Sequence, residues 1–209
     1  MLNNPNLLNL IYTIIALLTA IIPHEVAHGY AAYKLGDDTA KTDGRLSLNP
    51  LNHIDPIGLL SMIVLRFGWA KAVPINPYKF KNRKKGTIIV SLAGVTTNFI
   101  IAFIAAIIWV PLYVRNNVIF AGLFEEIMWF NAMLGVFNLV PVPPLDGSKV
   151  LASLLPSKIE FYFYKYEKYF YILLVALLFT GVINKIIGPI IFSIIKFFIY
   201  IGSKIWNIM

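Results

Sequence analysis

His24, Glu25 and His28 are residues whose types and spacing can do chemistry. Positions i and i+4 of a helix lie on one face about one turn apart, so imidazoles at 24 and 28 can reach the same ion. The carboxylate beside the first histidine projects close enough to that ion to handle the proton of a water molecule. The stretch Pro23-His24-Glu25-Val26-Ala27-His28-Gly29 thus carries the H-E-x-x-H pattern of zinc hydrolases. Its setting sharpens the signal. From Leu7 to Ile22 there is no Asp, Glu, Lys, Arg or His, and ionisable groups at membrane depth are costly and mark function.

The composition explains that setting. Of 209 residues, 58% are hydrophobic and 13% charged, against roughly 25% charged in soluble domains. The chain is therefore expected to be an all-α polytopic membrane protein. With no cysteine there is no disulfide and no thiolate, so any metal must be held by His and carboxylate. The net charge of +8 comes from basic residues in loops between apolar segments. There they signal topology and contact with the lipid bilayer, and nucleic acid is not an expected partner.

The elements that must position the motif follow from the hydropathy pattern. Asn6 to about Tyr33 reads as one retained helix, with no basic n-region ahead of it, and Pro23 is expected to loosen it just before the motif. Residues 36–56 are polar and rich in turn formers, with Arg45–Leu48 alternating like a short strand. Residues 57–67 are apolar but too short to span, so a re-entrant or interfacial segment is expected. Thr87–Val114 and Val118–Val140 are the next spans. After the interfacial Lys149–Lys168, Tyr169–Ile183 and Ile186–Tyr200 form an apolar hairpin around Asn184-Lys185. About five transmembrane helices result, with a core over 1–155 and an interfacial segment plus C-terminal hairpin over 156–209. With residues 57–67 not spanning, the motif, the Lys79–Lys85 cluster and the Pro141–Gly147 stretch share the cytoplasmic side, as the positive-inside tendency asks.

Catalytic zinc takes three protein ligands and keeps one position open. The third candidate is His53, Asp55, Asp37, Asp38, Asp43, Glu125, Glu126 or Asp146. Glu125 and Glu126 fall at the opposite face, and Asp37 to Asp43 lie in a polar loop where a solvated charge needs no explanation. His53, in Asn-Pro-Leu-Asn-His-Ile-Asp-Pro, reads as a loop-packing residue. Asp146 sits in a proline-broken segment at the end of a span, where irregular backbone must line a cavity or pack in protein, and it is preferred. A helix-capping role for Asp146 is compatible with ligation.

Taken in order, His24-Glu-Val-Ala-His28, residues 67–77, Gly94-Val-Thr-Thr-Asn98 and Asn138-Leu-Val-Pro-Val-Pro-Pro-Leu-Asp146-Gly147 resemble the site-2 protease family of intramembrane zinc metalloproteases. The resemblance covers roughly residues 6–155. It implies one zinc ion per chain, bound by His24, His28 and Asp146, with Glu25 as general base. It also implies that Asn98 and Asn138 line the catalytic chamber, one of them polarising the scissile carbonyl, and that residues 68–77 guide an extended substrate. Asn98 has an equally plain structural reading as a polar bridge between helices. Further implications are a prokaryotic cell membrane and a membrane-anchored protein substrate, such as an anti-sigma factor, a sporulation pro-protein or a remnant signal peptide. Neither a PDZ insertion nor a nucleotide-sensing CBS domain is expected. The alternative function is a metal or ion transporter using the buried His and Asp. It is weakened by the lack of an internal repeat and by a base that simple ion passage does not need.

Overall fold

The computed structural model describes residues 5–53, 55 and 71–208. Its helices are α1 (Pro5–Lys34), the single turn α2 (Thr39–Thr42), α3 (Arg83–Val114), α4 (Val118–Asn138), α5 (Asp146–Leu154), α6 (Ser157–Lys165), α7 (Glu167–Phe179) and α8 (Val182–Ile205). The chain is an all-α polytopic membrane protein. Among the described residues four stretches are long and apolar enough to cross a bilayer: Leu7–Lys34, Arg83–Val114, Val118–Asn138 and Lys185–Ile205.

The structure revises the sequence expectation in three places. Tyr169–Ile183 is not a fifth span: α7 has 13 residues, about 20 Å at 1.5 Å per residue against a core of roughly 30 Å. The hairpin turn falls at Thr180-Gly181 instead of Asn184-Lys185, because Gly181 takes φ +70°, a left-handed conformation that glycine adopts at no steric cost. The strand expected at Arg45–Leu48 is loop, and no strand occurs among the described residues. A side chain joins the two loops there. Arg45 donates through Nη2 to the carbonyls of Lys71 (2.5 Å) and Ala72 (3.4 Å). The segment 57–67 lies outside the described residues.

Two rows of residues spaced by four organise the bundle. On α1 the buried row is Tyr12, Ala16, Ala20, His24, His28 and Ala32. On α3 it is Gly86, Val90, Gly94, Asn98, Ala102, Ala106 and Val110. Such i±4 rows are the ridges along which helices pack. Lipid tails are as apolar as leucine, so helices associate in a bilayer through close van der Waals contact and hydrogen bonds, and small residues allow the approach.

Short connections hold the other helices to this pair. Asn116 takes φ 53° in the turn between α3 and α4, a left-handed position that asparagine tolerates better than most residues. Asn117 then caps α4 by accepting from the Phe120 amide. The Tyr12 hydroxyl donates to the Ile119 carbonyl at 2.6 Å, tying α1 to the start of α4. At the chain's far end the Trp206 indole donates to the Ile107 carbonyl at 2.9 Å, docking α8 on α3.

After α4 three prolines at 141, 143 and 144 prevent regular helix, and α5 restarts at Asp146. Gly147 makes this fold-back possible. A Cβ there would lie 2.8 Å from the Val140 carbonyl oxygen and closer still to that of Leu139. Asp146 is thereby delivered, as the first residue of α5, to the buried face of α1.

Candidate metal centre

His24, His28 and Asp146, all buried, converge on one point. The Nε2 atoms of the two histidines are 2.9 Å apart. Asp146 Oδ2 is 3.2 Å from His24 Nε2 and 2.9 Å from His28 Nε2. Gly94 provides the room. A Cβ on it would sit 2.6 Å from His28 Nε2 and 2.7 Å from His24 Nδ1, so α3 can lie against both rings only because position 94 has no side chain.

The hydrogen bonds behind the rings select the tautomer of the neutral form. His28 Nδ1 is 2.7 Å from the Val90 carbonyl oxygen, which can only accept, so Nδ1 is a donor and the neutral ring has its lone pair at Nε2. His24 Nδ1 is 2.6 Å from Asn98 Oδ1. The Asn98 amide cannot be turned the other way, since its Nδ2 donates to the Ala20 carbonyl at 2.9 Å and to Asn131 Oδ1 at 3.0 Å. Asn131 is fixed in turn, because its own Nδ2 donates to the Ile127 carbonyl at 2.9 Å. In its neutral form His24 therefore also has its lone pair at Nε2.

With both rings neutral, two imidazole lone pairs and a carboxylate oxygen face one another. In that state the three donors repel one another unless a cation, either a proton or a metal ion, sits between them. Two imidazoles and a carboxylate are a catalytic zinc donor set, and tetrahedral ligands at 2.0–2.2 Å from zinc lie roughly 3.3–3.6 Å apart. The observed separations are within a few tenths of an ångström of that spacing. Among the described residues no other trio of His, Cys, Asp or Glu comes together in this way.

Glu25 is partly buried beside His24, and its Oε2 accepts from the Val73 amide at 2.9 Å. The loop that carries Val73 is pinned at both ends. Lys71 donates to the His53 carbonyl at 2.9 Å, and the Asn76 amide donates to Asp37 Oδ2 at 2.6 Å. Asp37 is fully buried and also accepts from the Thr39 amide and hydroxyl. Burial pushes its carboxyl up, but the Thr39 hydroxyl, the Asn76 and Thr39 amides and nearby Lys79 together hold it below the usual carboxylate range. A group depressed on folding stabilises at pH above its unfolded pKa and loses that contribution as pH falls through its folded value. Asp37→Ala should therefore cost about 1–3 kcal/mol at neutral pH by stranding two amides. The deficit against wild type should shrink below about pH 4. Faster hydrogen exchange at the Asn76 amide is the direct readout; unchanged exchange would mean that the loop is held by other contacts.

A cleft of about 800 Å³ opens from His28 and Asp146. Val73, Ile75 and Phe80 line it, together with Glu160, Phe161 and Tyr164 of α6. Arg83 at the head of α3 grips Glu160 through two contacts, at 2.7 and 2.9 Å, and so ties α6 to the core. Lys84 adds a hydrogen bond to the Leu155 carbonyl.

The remaining candidates have other partners. Asn138 donates to the Leu134 carbonyl one turn back at 3.1 Å. Asn98 has its oxygen on His24 and its nitrogen on two acceptors, so its side chain is committed within the protein. His53 lies outside the trio and donates to the Ser47 carbonyl at 2.6 Å. Sequence reasoning did not find Asn131, the Val90 carbonyl or the Val73 amide. The regular four-residue row through Gly94 and Asn98 was the available signal for the α3 face.

Comparison with known proteins points the same way. The model of peptidase family M50 matches residues 113–181, a stretch that holds Asn138 and Asp146 but not the two histidines. The Bacillus subtilis (strain 168) protein YwhC is 36% identical over 187 residues, covering 86% of this chain and 85% of YwhC. Rip2 of Mycolicibacterium smegmatis is 29% identical over 80% of this chain and 66% of its own length. Zinc metalloprotease MJ0392 of Methanocaldococcus jannaschii is 27% identical over 91% of this chain and 48% of its own length. The names of YwhC and Rip2 class them with zinc metalloproteases too. No solved structure matches the chain.

Proposed function

The chain belongs to peptidase family M50 and is a membrane zinc metalloprotease, and from that premise we propose that it cleaves membrane-anchored proteins within their transmembrane segments. The observation that carries this reading is the convergence of His24 Nε2, His28 Nε2 and Asp146 Oδ2 on one point inside a bundle of membrane-length helices. One zinc ion would be held there by these three residues. When bound, zinc supplies a Lewis acid that acidifies water and polarises a carbonyl.

The chain's own groups do the rest. Glu25 takes a proton from the water whose oxygen attacks the peptide carbon. It returns that proton to the nitrogen as the C–N bond breaks. The Val73 amide fixes one oxygen of Glu25, which aims the carboxylate. Asn98 and Val90 hold the histidine tautomers that leave both Nε2 lone pairs free. A helical substrate has its carbonyls hydrogen-bonded, so it must unwind before attack. The loop through Val73 and Ile75, along the cleft wall, is suited to pair with the unwound strand by its backbone. From the family resemblance alone we also assign Asn138, at the end of α4, to the chamber; its amide donates to the Leu134 carbonyl. The basic residues of the 79–85 cluster, Lys149 and α6 accompany the site, which favours its opening on the cytoplasmic face of the cell membrane. Family membership displaces the transporter alternative.

The test is metal stripping of the detergent-solubilised protein. It should bind one zinc per chain, lose cleavage of a membrane-anchored reporter on chelation, and regain it with zinc. The cut should map inside the reporter's transmembrane segment. Full activity without metal would overturn the zinc chemistry, and a cut confined to the soluble part would overturn the intramembrane assignment.

A further inference from the structure

The two oxygens of Asp146 have different surroundings. Oδ2 faces both histidines. Oδ1 is 3.0 Å from Nζ of Lys149. Lys149 follows Asp146 by three residues on α5, so the two side chains rise from the same face of its first turns. Its side chain borders the cleft beside His28 and Asp146. The other acid lining this cleft, Glu160, is already gripped by Arg83, and the ammonium of Lys149 is directed at the Asp146 carboxylate instead.

A carboxylate can bind zinc through one oxygen or through both. Binding through both would add a fifth ligand, crowd the position that water and substrate need, and weaken the metal's pull on a carbonyl by giving it a further donor. A charge-assisted hydrogen bond to one oxygen competes with that second contact. We propose that Lys149 is a positioning residue: it holds Oδ1 of Asp146 so that the carboxylate ligates through Oδ2 alone and one coordination position stays open. This rests on the metal reading above.

A plain surface ion pair is the competing account. The Lys149 side chain is 44% exposed, and pairs of that kind contribute little to stability. Replacing Lys149 should therefore leave the fold intact, which makes the variant a clean probe. Cobalt(II) substituted for zinc in the solubilised protein reports coordination number through its visible absorption, intense for four ligands and weak for five or six. Wild type and Lys149→Arg should give the intense spectrum, and Lys149→Met a weaker one. In the zinc form Lys149→Met should lower kcat by about 10- to 100-fold with KM little changed, the range typical of groups that orient a ligand. Arginine should restore most of the loss.

A wild-type cobalt spectrum with unchanged kcat in Lys149→Met would overturn the proposal in favour of the surface pair. A rise in KM alone would overturn it in favour of a substrate contact. Asp146→Ala separates this failure from failure of the metal reading. Zinc retained at full occupancy in Asp146→Ala would remove the carboxylate from the site altogether. Zinc lost there, beside an unaltered Lys149→Met spectrum, would sink the Lys149 role alone.

Discussion

Glu25→Gln should retain zinc and cleave a membrane-anchored substrate about 10²–10⁴ times more slowly, the usual contribution of a positioned general base. That loss corresponds to roughly 3–5 kcal/mol of barrier. The substitution isolates proton transfer because little else changes. Glutamine has the same shape and still offers an oxygen to the Val73 amide, which now meets Glu25 Oε2 at 2.9 Å. The three atoms that converge on the metal point belong to His24, His28 and Asp146, so zinc content should stay at the wild-type level. What glutamine cannot do is accept a proton from water and carry it to the leaving nitrogen. Proteolysis at the wild-type rate with zinc bound would sink the mechanism. Loss of zinc together with activity would show that Glu25 serves the metal and not the proton.

Gly94→Ala should empty the metal site while leaving its ligands unmutated. The added methyl would lie 2.6 Å from His28 Nε2 and 2.7 Å from His24 Cε1 and Nδ1, distances at which something must move. The neighbours are stiff rings held from behind by Asn98 and Val90, and all three groups sit on the facing rows of α1 and α3. Relief requires the two helices to part, which stretches both hydrogen bonds that set the tautomers. Overpacking of this kind costs about 1–3 kcal/mol. Loss of the groups that orient a ligand weakens metal binding by another 10- to 100-fold for each, so zinc affinity should fall by about 100-fold or more. Gly188→Ala on α8 is the matched control, since a Cβ there meets nothing within 4 Å. Normal zinc content in Gly94→Ala would show that α3 does not set the ring positions.

His24, Glu25 and His28 could be read directly from the chain because their geometry is local. Helical pitch alone brings i and i+4 together, and the uncharged run before them sets the span that carries them. Asp146 was reachable by exclusion, since a proline-broken stretch at the end of a span leaves few other carboxylates at the right depth. The span over Tyr169–Ile183 misled because hydropathy measures apolar length and not helix continuity. Gly181 ends the helix with a backbone angle that apolar neighbours do not reveal.

The hydrogen-bond partners of the site had to wait for the tertiary structure. The Val90 carbonyl and the Val73 amide are groups that every residue owns, so nothing in the residue type marks them out as partners of His28 and Glu25. Asn131 is a buried amide whose value lies in one contact, at 3.0 Å, with Asn98 on another helix. The donor types, the pair of histidines with a glutamate beside the first, and the membrane setting follow from the order of residues along the chain. That three ligand atoms meet at one point depends on the packing of α1, α3, α4 and α5, which sets the carbonyl, amide and glycine that stand opposite each ring across helices far apart in the chain.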